Sequence, residues 1–280
     1  MKRFRKLPAV VKLALALSVA MIWFGCEPGV AGMAKMKSLA KGPFSKKPSV
    51  LFILTSDRHG YWGEELAAPV DILRRHKIRT AFASPAGKAV IDPTSTPDPD
   101  KLAPNDPLFQ WTSPEMARTV RALHVEIDKG TLRLQDVRGD DYDAVVVVGG
   151  HGSVFDINKN PEVHRILREA DAKLRIIAAE CHGTGALAFT QPNLIQGKDV
   201  TGYPDAWEPA VLRPELPYVL QDELNRASGG RYKDGLTPGK PPQPLVIAHD
   251  RIITSRDPMS SAAMAQALLN KLKPNKPPKP

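Results

Sequence analysis

The stretch Asp143-Ala-Val-Val-Val-Val-Gly149 offers no polar face to water. A short run so uniformly apolar reads as a strand buried on both sides, which requires a parallel sheet covered by helices. Ser49-Val-Leu-Phe-Ile-Leu-Thr-Ser56 and Leu174-Arg-Ile-Ile-Ala-Ala-Glu180 have the same character, and Arg79 to Ser84 reads as a further strand. Helical periodicity fills the gaps. It is predicted from about Glu64 to Lys77, where Leu66, Val70 and Leu73 share a face, then near Pro114 to Ile127 and from Pro161 to Ala172. Residues 86 to 112, rich in Pro, Asp and Thr, read as an irregular insertion. Pro244 to Ser255 reads as a hairpin turning at His249-Asp250, and Met259 to Leu272 as a closing amphipathic helix. Strand and helix alternate without internal repeats, so the predicted fold class is α/β: a doubly wound, mostly parallel sheet flanked by helices, with a C-terminal hairpin.

The formal charge of +9 suggests nucleic acid until its position is considered. The first 49 residues carry ten Lys and Arg against one Glu, and the last ten carry four Lys, so the body between them is mildly acidic. A body without a basic face argues against a nucleic-acid partner. Lys2, Arg3, Arg5 and Lys6 precede an uncharged apolar run, Leu13 to Cys26, and small residues follow at Gly29, Ala31, Gly32 and Ala34. This reads as a signal peptide over 1–34, cleaved after Ala31 or Ala34, or as a lipoprotein signal over 1–25 with a lipid anchor at Cys26. The run has 14 residues, fewer than the roughly 20 that span a bilayer, so no membrane span is expected after processing. An exported protein, periplasmic, secreted or anchored as a lipoprotein, is the expectation. Residues 35–48 read as a solvated linker, 49–272 as one α/β domain, and 273–280 as a disordered basic tail.

After processing, Cys181 is the remaining thiol, apart from a lipidated Cys26 in the lipoprotein case. The ordinary reading of a single cysteine is a small buried hydrophobe. Its neighbours change that reading. In Ile176-Ile-Ala-Ala-Glu-Cys-His-Gly-Thr-Gly185 an apolar strand ends at Glu180 and a helix-forming segment starts just after Gly183, so Cys181 sits at a sharp strand-to-helix turn. A sulfur there faces the positive end of a helix dipole, and a lowered thiol pKa is predicted. Val148-Gly149-Gly150-His151-Gly152 follows the valine strand, and its glycines suit an oxyanion-binding turn or plain turn punctuation. His151 either lines the pocket or caps the loop. Glu64 and Glu65 open the first helix, where one acid complements the dipole and the other is free for proton transfer.

On these motifs the chain resembles the ThiJ/PfpI superfamily, whose domain is flavodoxin-like and similar to class I glutamine amidotransferases. The likeness runs from about Ser49 to Leu272. It is closest to the branch of heat-shock-associated chaperones and glutathione-independent glyoxalases, through Asp141-Tyr-Asp-Ala-Val, Gly149-Gly-His-Gly152, Ala179-Glu-Cys-His-Gly183 and Val200-Thr-Gly-Tyr-Pro-Asp-Ala-Trp-Glu208. The resemblance implies Cys181 as nucleophile, His182 as its partner, Glu208 as the acid orienting that histidine, and Glu65, four residues before Pro69, as the helix-borne glutamate. Gly149 and Gly150 correspond to the oxyanion turn, with His151 and Gly183 beside it. It further implies conversion of a small 2-oxoaldehyde such as methylglyoxal to a 2-hydroxy acid, a glyoxalase III or D-lactate dehydratase type of lyase, without cofactor or metal. The same parts would serve a cysteine amidase or peptidase, and a low-pKa thiol would also suit a holding chaperone or redox sensor. Oligomeric state, including a homodimer, is left open. One departure stands out: relatives carry an amide-rich segment where this chain has Thr254-Ser-Arg-Asp-Pro258, which is expected to alter the polarity of the pocket.

The remaining candidates have plainer readings. His59, His76, His124, His164 and His249 lack metal-ligand spacing, with His59 near the expected pocket. Trp62, Trp111 and Trp207 read as packing or pocket walls. Arg74-Arg75-His76-Lys77 reads as a solvated helix end.

Overall fold

The computed structural model describes residues 47–101 and 112–272. The segments read as a signal peptide (with Cys26) and as a basic tail, nearly all of the segment read as a linker, and Trp111 lie outside the described residues. Among those described, no helix is long and apolar enough to cross a membrane.

In chain order the elements are β1 (Ser49–Ile53), α1 (Gly63–Arg75), β2 (Arg79–Ser84), α2 (Pro114–Gly130), β3 (Leu132–Arg133), β4 (Ala144–Val147), α3 (Gly152–Asp156), α4 (Pro161–Ala172), β5 (Ile176–Glu180), α5 (Gly185–Phe189), α6 (Leu220–Ser228), β6 (Val246–His249), β7 (Ile252–Ser255) and α7 (Ser261–Leu272). The strands form one sheet in the order β3-β2-β1-β4-β5-β7-β6. Every pairing is parallel except β6 with β7, the hairpin, which turns through Asp250 at φ +52°. The sheet is thus the doubly wound, mostly parallel α/β type with a closing hairpin.

Side chains alternate across the strands, and each face finds its own helices. Val50, Phe52, Val146, Val148, Ala178 and Ile253 pack with Leu66, Val70 and Leu73 of α1, Leu123 and Ile127 of α2, and Met264 and Leu268 of α7. Helix α4 covers β4 and β5, and its Val163, Ile166 and Leu167 are fully buried. Local chemistry sets the helix starts. Ser113 accepts from the Met116 amide and Asn160 from the Glu162 amide, each followed by proline at the first helical position. Arg74 does not end in solvent alone, because its guanidinium forks onto Glu126 at 2.7 and 2.8 Å.

The order of strands reverses between β1 and β4. At such a reversal the connections leave in opposite directions and open a crevice beyond the carboxyl ends, where ligands of open α/β sheets bind. The segments leaving β1, β4 and β5 carry Glu65, Gly150 with His151, and Cys181 into that crevice.

Candidate active site

Cys181 occupies the first position after β5 at φ +53°, a left-handed conformation rare for a residue with a side chain. Such a conformation costs on the order of 1–3 kcal/mol and persists only where its surroundings hold it. Here Thr184 Oγ1 donates to the Cys181 carbonyl at 2.6 Å and Asn158 Nδ2 to the His182 carbonyl at 2.9 Å. Close packing completes the hold: a Cβ on Gly183 would lie 2.7 Å from the carbonyl oxygens of Val147 and Val148. The turn keeps the sulfur on the wall of the cleft although the residue is only 3% exposed.

Around that sulfur three chain segments converge. His182 Nδ1 lies 3.3 Å from Cys181 Sγ, and its Nε2 lies 2.8 Å from Glu208 Oε1. The other oxygen of Glu208 meets His151 Nε2 at 3.2 Å. Tyr203 stacks on the His182 ring with centroids 4.6 Å apart, and the His151 ring lies 4.3 Å from it on the same measure. The amides of Gly150 and His182 are the backbone donors directed at the sulfur. Glu65 sits in the first turn of α1, fully buried, and Pro69 deprives its carbonyl of the usual intrahelical donor. Among the described residues neither Glu65 carboxyl oxygen has a hydrogen-bond partner of ordinary geometry.

These surroundings set the protonation states. Burial pushes Glu65 up to about 8, an effect that Asp257 and Glu64 reinforce and the Cys181 thiol and Gly149 amide partly offset. Glu208 is held at about 2: burial pushes it up, but the hydrogen bonds and charges of His151 and His182 outweigh that. Burial, aided by His151, lowers His182 against the pull of Glu208. The Cys181 thiol is pushed up, chiefly by burial and then by the Glu65 carboxylate, while the amides of Gly150 and His182 pull it down. This overturns the low pKa read from the strand-to-helix turn. The helix after Cys181 is a short 3-10 turn followed by only five residues, too little dipole to offset the loss of water. A thiolate forms here when Glu65 keeps its proton, since two negative charges in one dry space repel.

The glycines divide by role. Gly150 lines the cleft, at φ +94°, with no room for a Cβ against Tyr61 and Trp62. Gly149 and Gly183, read from sequence as oxyanion or substrate contacts, are positions of close approach: a Cβ on Gly149 would meet Glu65 Oε2 at 2.4 Å and Cys181 Cβ at 2.6 Å. The two donors at the sulfur come from Gly150 and His182. Arg256 and Asp257 also depart from expectation. Both are fully buried away from the cleft wall, paired at 2.6 Å, with Arg256 donating to the Asp234 and Gln243 carbonyls and lying 4.8 Å from the Trp207 ring centre. Of that segment, Pro258 reaches the cleft.

Sequence reasoning did not single out Tyr203 or Asn158. Tyr203 belongs to the same Val200 to Glu208 segment as the acid, whereas Asn158, 24 residues from His182, carries no local signal. His59 lines the mouth, held between Asp57 at 2.6 Å and Glu215 at 3.3 Å. Trp62 lines the cleft, while Trp207 packs beside Tyr203 and Arg256. Among the described residues, the ligand-type atoms of His151, His182 and Glu208 lie within 4.8 Å of one another, close enough to hold a metal ion in place of their shared hydrogen bonds.

The model of the DJ-1/PfpI family matches residues 48–271. The chain belongs to the DJ-1/PfpI family. Within that family it is 24% identical over 233 residues to the "Glutathione-independent glyoxalase HSP31" of Saccharomyces cerevisiae, covering 80% of this chain and 93% of that protein. It is 24% identical over 238 residues to "Glyoxalase 3" of Candida albicans, covering 79% of this chain and 96% of the relative. The X-ray structure of the 24 kDa Rapid Encystment Protein of Francisella tularensis superposes with a TM-score of 0.65 at 28% identity, covering 81% of this chain and all of that one. This DJ-1/PfpI chain therefore shares its fold over the whole described domain.

Proposed function

We propose that this protein is a glutathione-independent glyoxalase that converts a 2-oxoaldehyde into the corresponding 2-hydroxy acid. The observation that carries the reading is the pair of proton-handling groups beside one sulfur: His182 Nδ1 at 3.3 Å, and the buried Glu65 in contact with the thiol. The glyoxalase names of the yeast and Candida relatives support the same reaction class.

In the proposed sequence His182 takes the thiol proton and the sulfur adds to the aldehyde carbon. The carbonyl π pair moves to oxygen, which receives the proton of Glu65, so a hemithioacetal forms. Glu65, now a carboxylate, removes the hydrogen on the former aldehyde carbon while protonated His182 gives its proton to the neighbouring carbonyl oxygen, so an enediol forms and His182 is neutral again. Glu65 then returns the hydrogen to the adjacent carbon and takes up the proton of the first hydroxyl as the carbonyl beside sulfur re-forms. One carbon is oxidised and its neighbour reduced, so no outside redox partner is needed. The product at this stage is a thioester of Cys181. Neutral His182, oriented by Glu208, activates water to cleave it, releasing the 2-hydroxy acid and restoring the thiol.

A cysteine amidase would use the same sulfur and the Gly150 and His182 amides. It has no step that requires a protonated carboxyl at the sulfur, and Glu65 favours the glyoxalase reading. The test is incubation with methylglyoxal in the absence of glutathione, with lactate quantified. Lactate formation by wild type and none by Cys181→Ala is the expected result. Unchanged aldehyde with wild type, or equal lactate from the variant, refutes it.

A further inference from the structure

We infer that the cleft selects 2-oxoaldehydes bearing a bulky apolar substituent, aryl or long alkyl, over methylglyoxal. The inference rests on the glyoxalase reading above. Cys181, Glu65 and His182 engage only the two carbonyl carbons. Outward from them the cleft continues between Trp62, Pro93, Pro209, Val211, Leu212 and Pro258, and its volume is about 580 Å³. Pockets of roughly 300–1,000 Å³ suit ligands of drug size. Methylglyoxal presents one methyl group to that wall and leaves most of it wet. Val211 stands 80% exposed at the rim, an apolar surface that a longer substituent would cover. Each methylene taken from water favours binding by roughly fourfold.

The charges at the mouth argue against an anionic substituent. Arg58 Nη2 is already answered by Glu215 Oε2 at 2.9 Å, and Asp92 lies on the same wall. A carboxylate or phosphate there would meet Glu215 and Asp92 rather than an unanswered cation.

The experiment compares kcat/KM, without glutathione, for methylglyoxal, phenylglyoxal and 2-oxooctanal. The aliphatic long-chain aldehyde separates apolar contact from the electronic effect of the ring. Both large substrates are expected to exceed methylglyoxal by about tenfold or more. Val211→Asp, at an exposed position that folding tolerates, is expected to shrink that ratio by about threefold or more. Turnover of methylglyoxal at least equal to that of both large aldehydes, or a ratio unmoved in Val211→Asp, overturns the inference and leaves the glyoxalase reading standing. No turnover of any of the three overturns both.

Discussion

Nε2 of His182 lies 2.8 Å from Oε1 of Glu208, and this contact decides where the imidazole carries its proton. An ionised carboxylate only accepts, and with its pKa held at about 2 Glu208 is ionised at any working pH. The hydrogen therefore sits on Nε2, and the lone pair of Nδ1 faces Cys181 Sγ at 3.3 Å. Burial lowers His182, so the ring is neutral near pH 7 and ready to accept the thiol proton.

Replacing Glu208 with Gln tests that arrangement. The amide nitrogen can donate to Nε2, which moves the imidazole hydrogen to Nδ1 and turns the lone pair away from sulfur. Loss of kcat on the order of 10⁴-fold is expected, as for other nucleophile–histidine–acid sets given the wrong tautomer. KM should change far less, because Glu208 lies behind His182 rather than on the cleft wall. Steady-state kinetics with near-UV circular dichroism as the folding control checks it, and a kcat close to wild type would remove Glu208 from the proton relay.

Glu65 makes stability depend on pH with a definite sign. Its folded pKa of about 8 lies above the ordinary 4.5. Between those values the folded chain holds a proton that the unfolded chain has lost, so stability falls as pH rises through the window and levels off above about 8. The full loss is on the order of 3–5 kcal/mol. Glu64, pushed up to about 8 by burial and then by Asp257, adds a slope of the same sign. Glu65→Gln removes its own share, so urea denaturation should find the variant more stable than wild type at pH 8.5 and level with it near pH 4.5. Parallel stability curves for the two proteins would contradict a buried, proton-holding Glu65.

Much of the fold was legible because burial on both faces leaves a plain mark. Val145 to Val148 has no alternation, and the hairpin announces itself at His249-Asp250, where Asp250 takes φ +52°. Strand β3 did not, since two residues, Leu132 and Arg133, are too few to carry a period. At the site, Cys181 was marked by its place between strand and helix, but not the direction of its pKa. That depends on how much protein covers the sulfur, a property of segments far apart in the chain. The contact of His151 with Glu208 spans 57 residues and has no local signature. Arg256 and Asp257 read as cleft residues because they stand where relatives carry an amide-rich segment, yet both side chains are fully buried and only Pro258 of that segment lines the cleft among the described residues.

The close approach at Gly149 predicts an asymmetric response to one methyl group. In Gly149→Ala the new Cβ falls 2.4 Å from Glu65 Oε2, 2.6 Å from Cys181 Cβ and 2.7 Å from the Glu180 carbonyl, none of them the tip of a surface side chain. A loss of about 2–4 kcal/mol is expected, with near-complete loss of turnover. Gly197, unlike Gly149, has a positive φ, +72°, but nothing lies within 4 Å of the point where its Cβ would stand. Gly197→Ala should cost only about 1 kcal/mol, from backbone strain alone, and retain activity. A loss at Gly149→Ala no larger than that at Gly197→Ala would show that Glu65 and Cys181 give way to the added methyl group.

The buried pair of Arg256 and Asp257 separates charge from shape. Arg256 Nε donates to Asp257 Oδ2 at 2.6 Å, while Asp257 Oδ1 takes the Ser260 amide at 3.1 Å and caps the turn before α7. Arg256→Met leaves the carboxylate buried without its cation, and a loss of about 3–5 kcal/mol is expected. Adding Asp257→Asn removes the uncompensated charge and keeps an acceptor for Ser260, so the double variant should recover most of that loss. Arg256→Lys should not substitute, because one ammonium cannot serve Asp257 and the carbonyls of Asp234 and Gln243 with the planar fork that also lies against Trp207. Chemical denaturation of the three variants reads the outcome. A double variant no more stable than Arg256→Met would assign the cost to lost packing and hydrogen bonds rather than to a stranded negative charge.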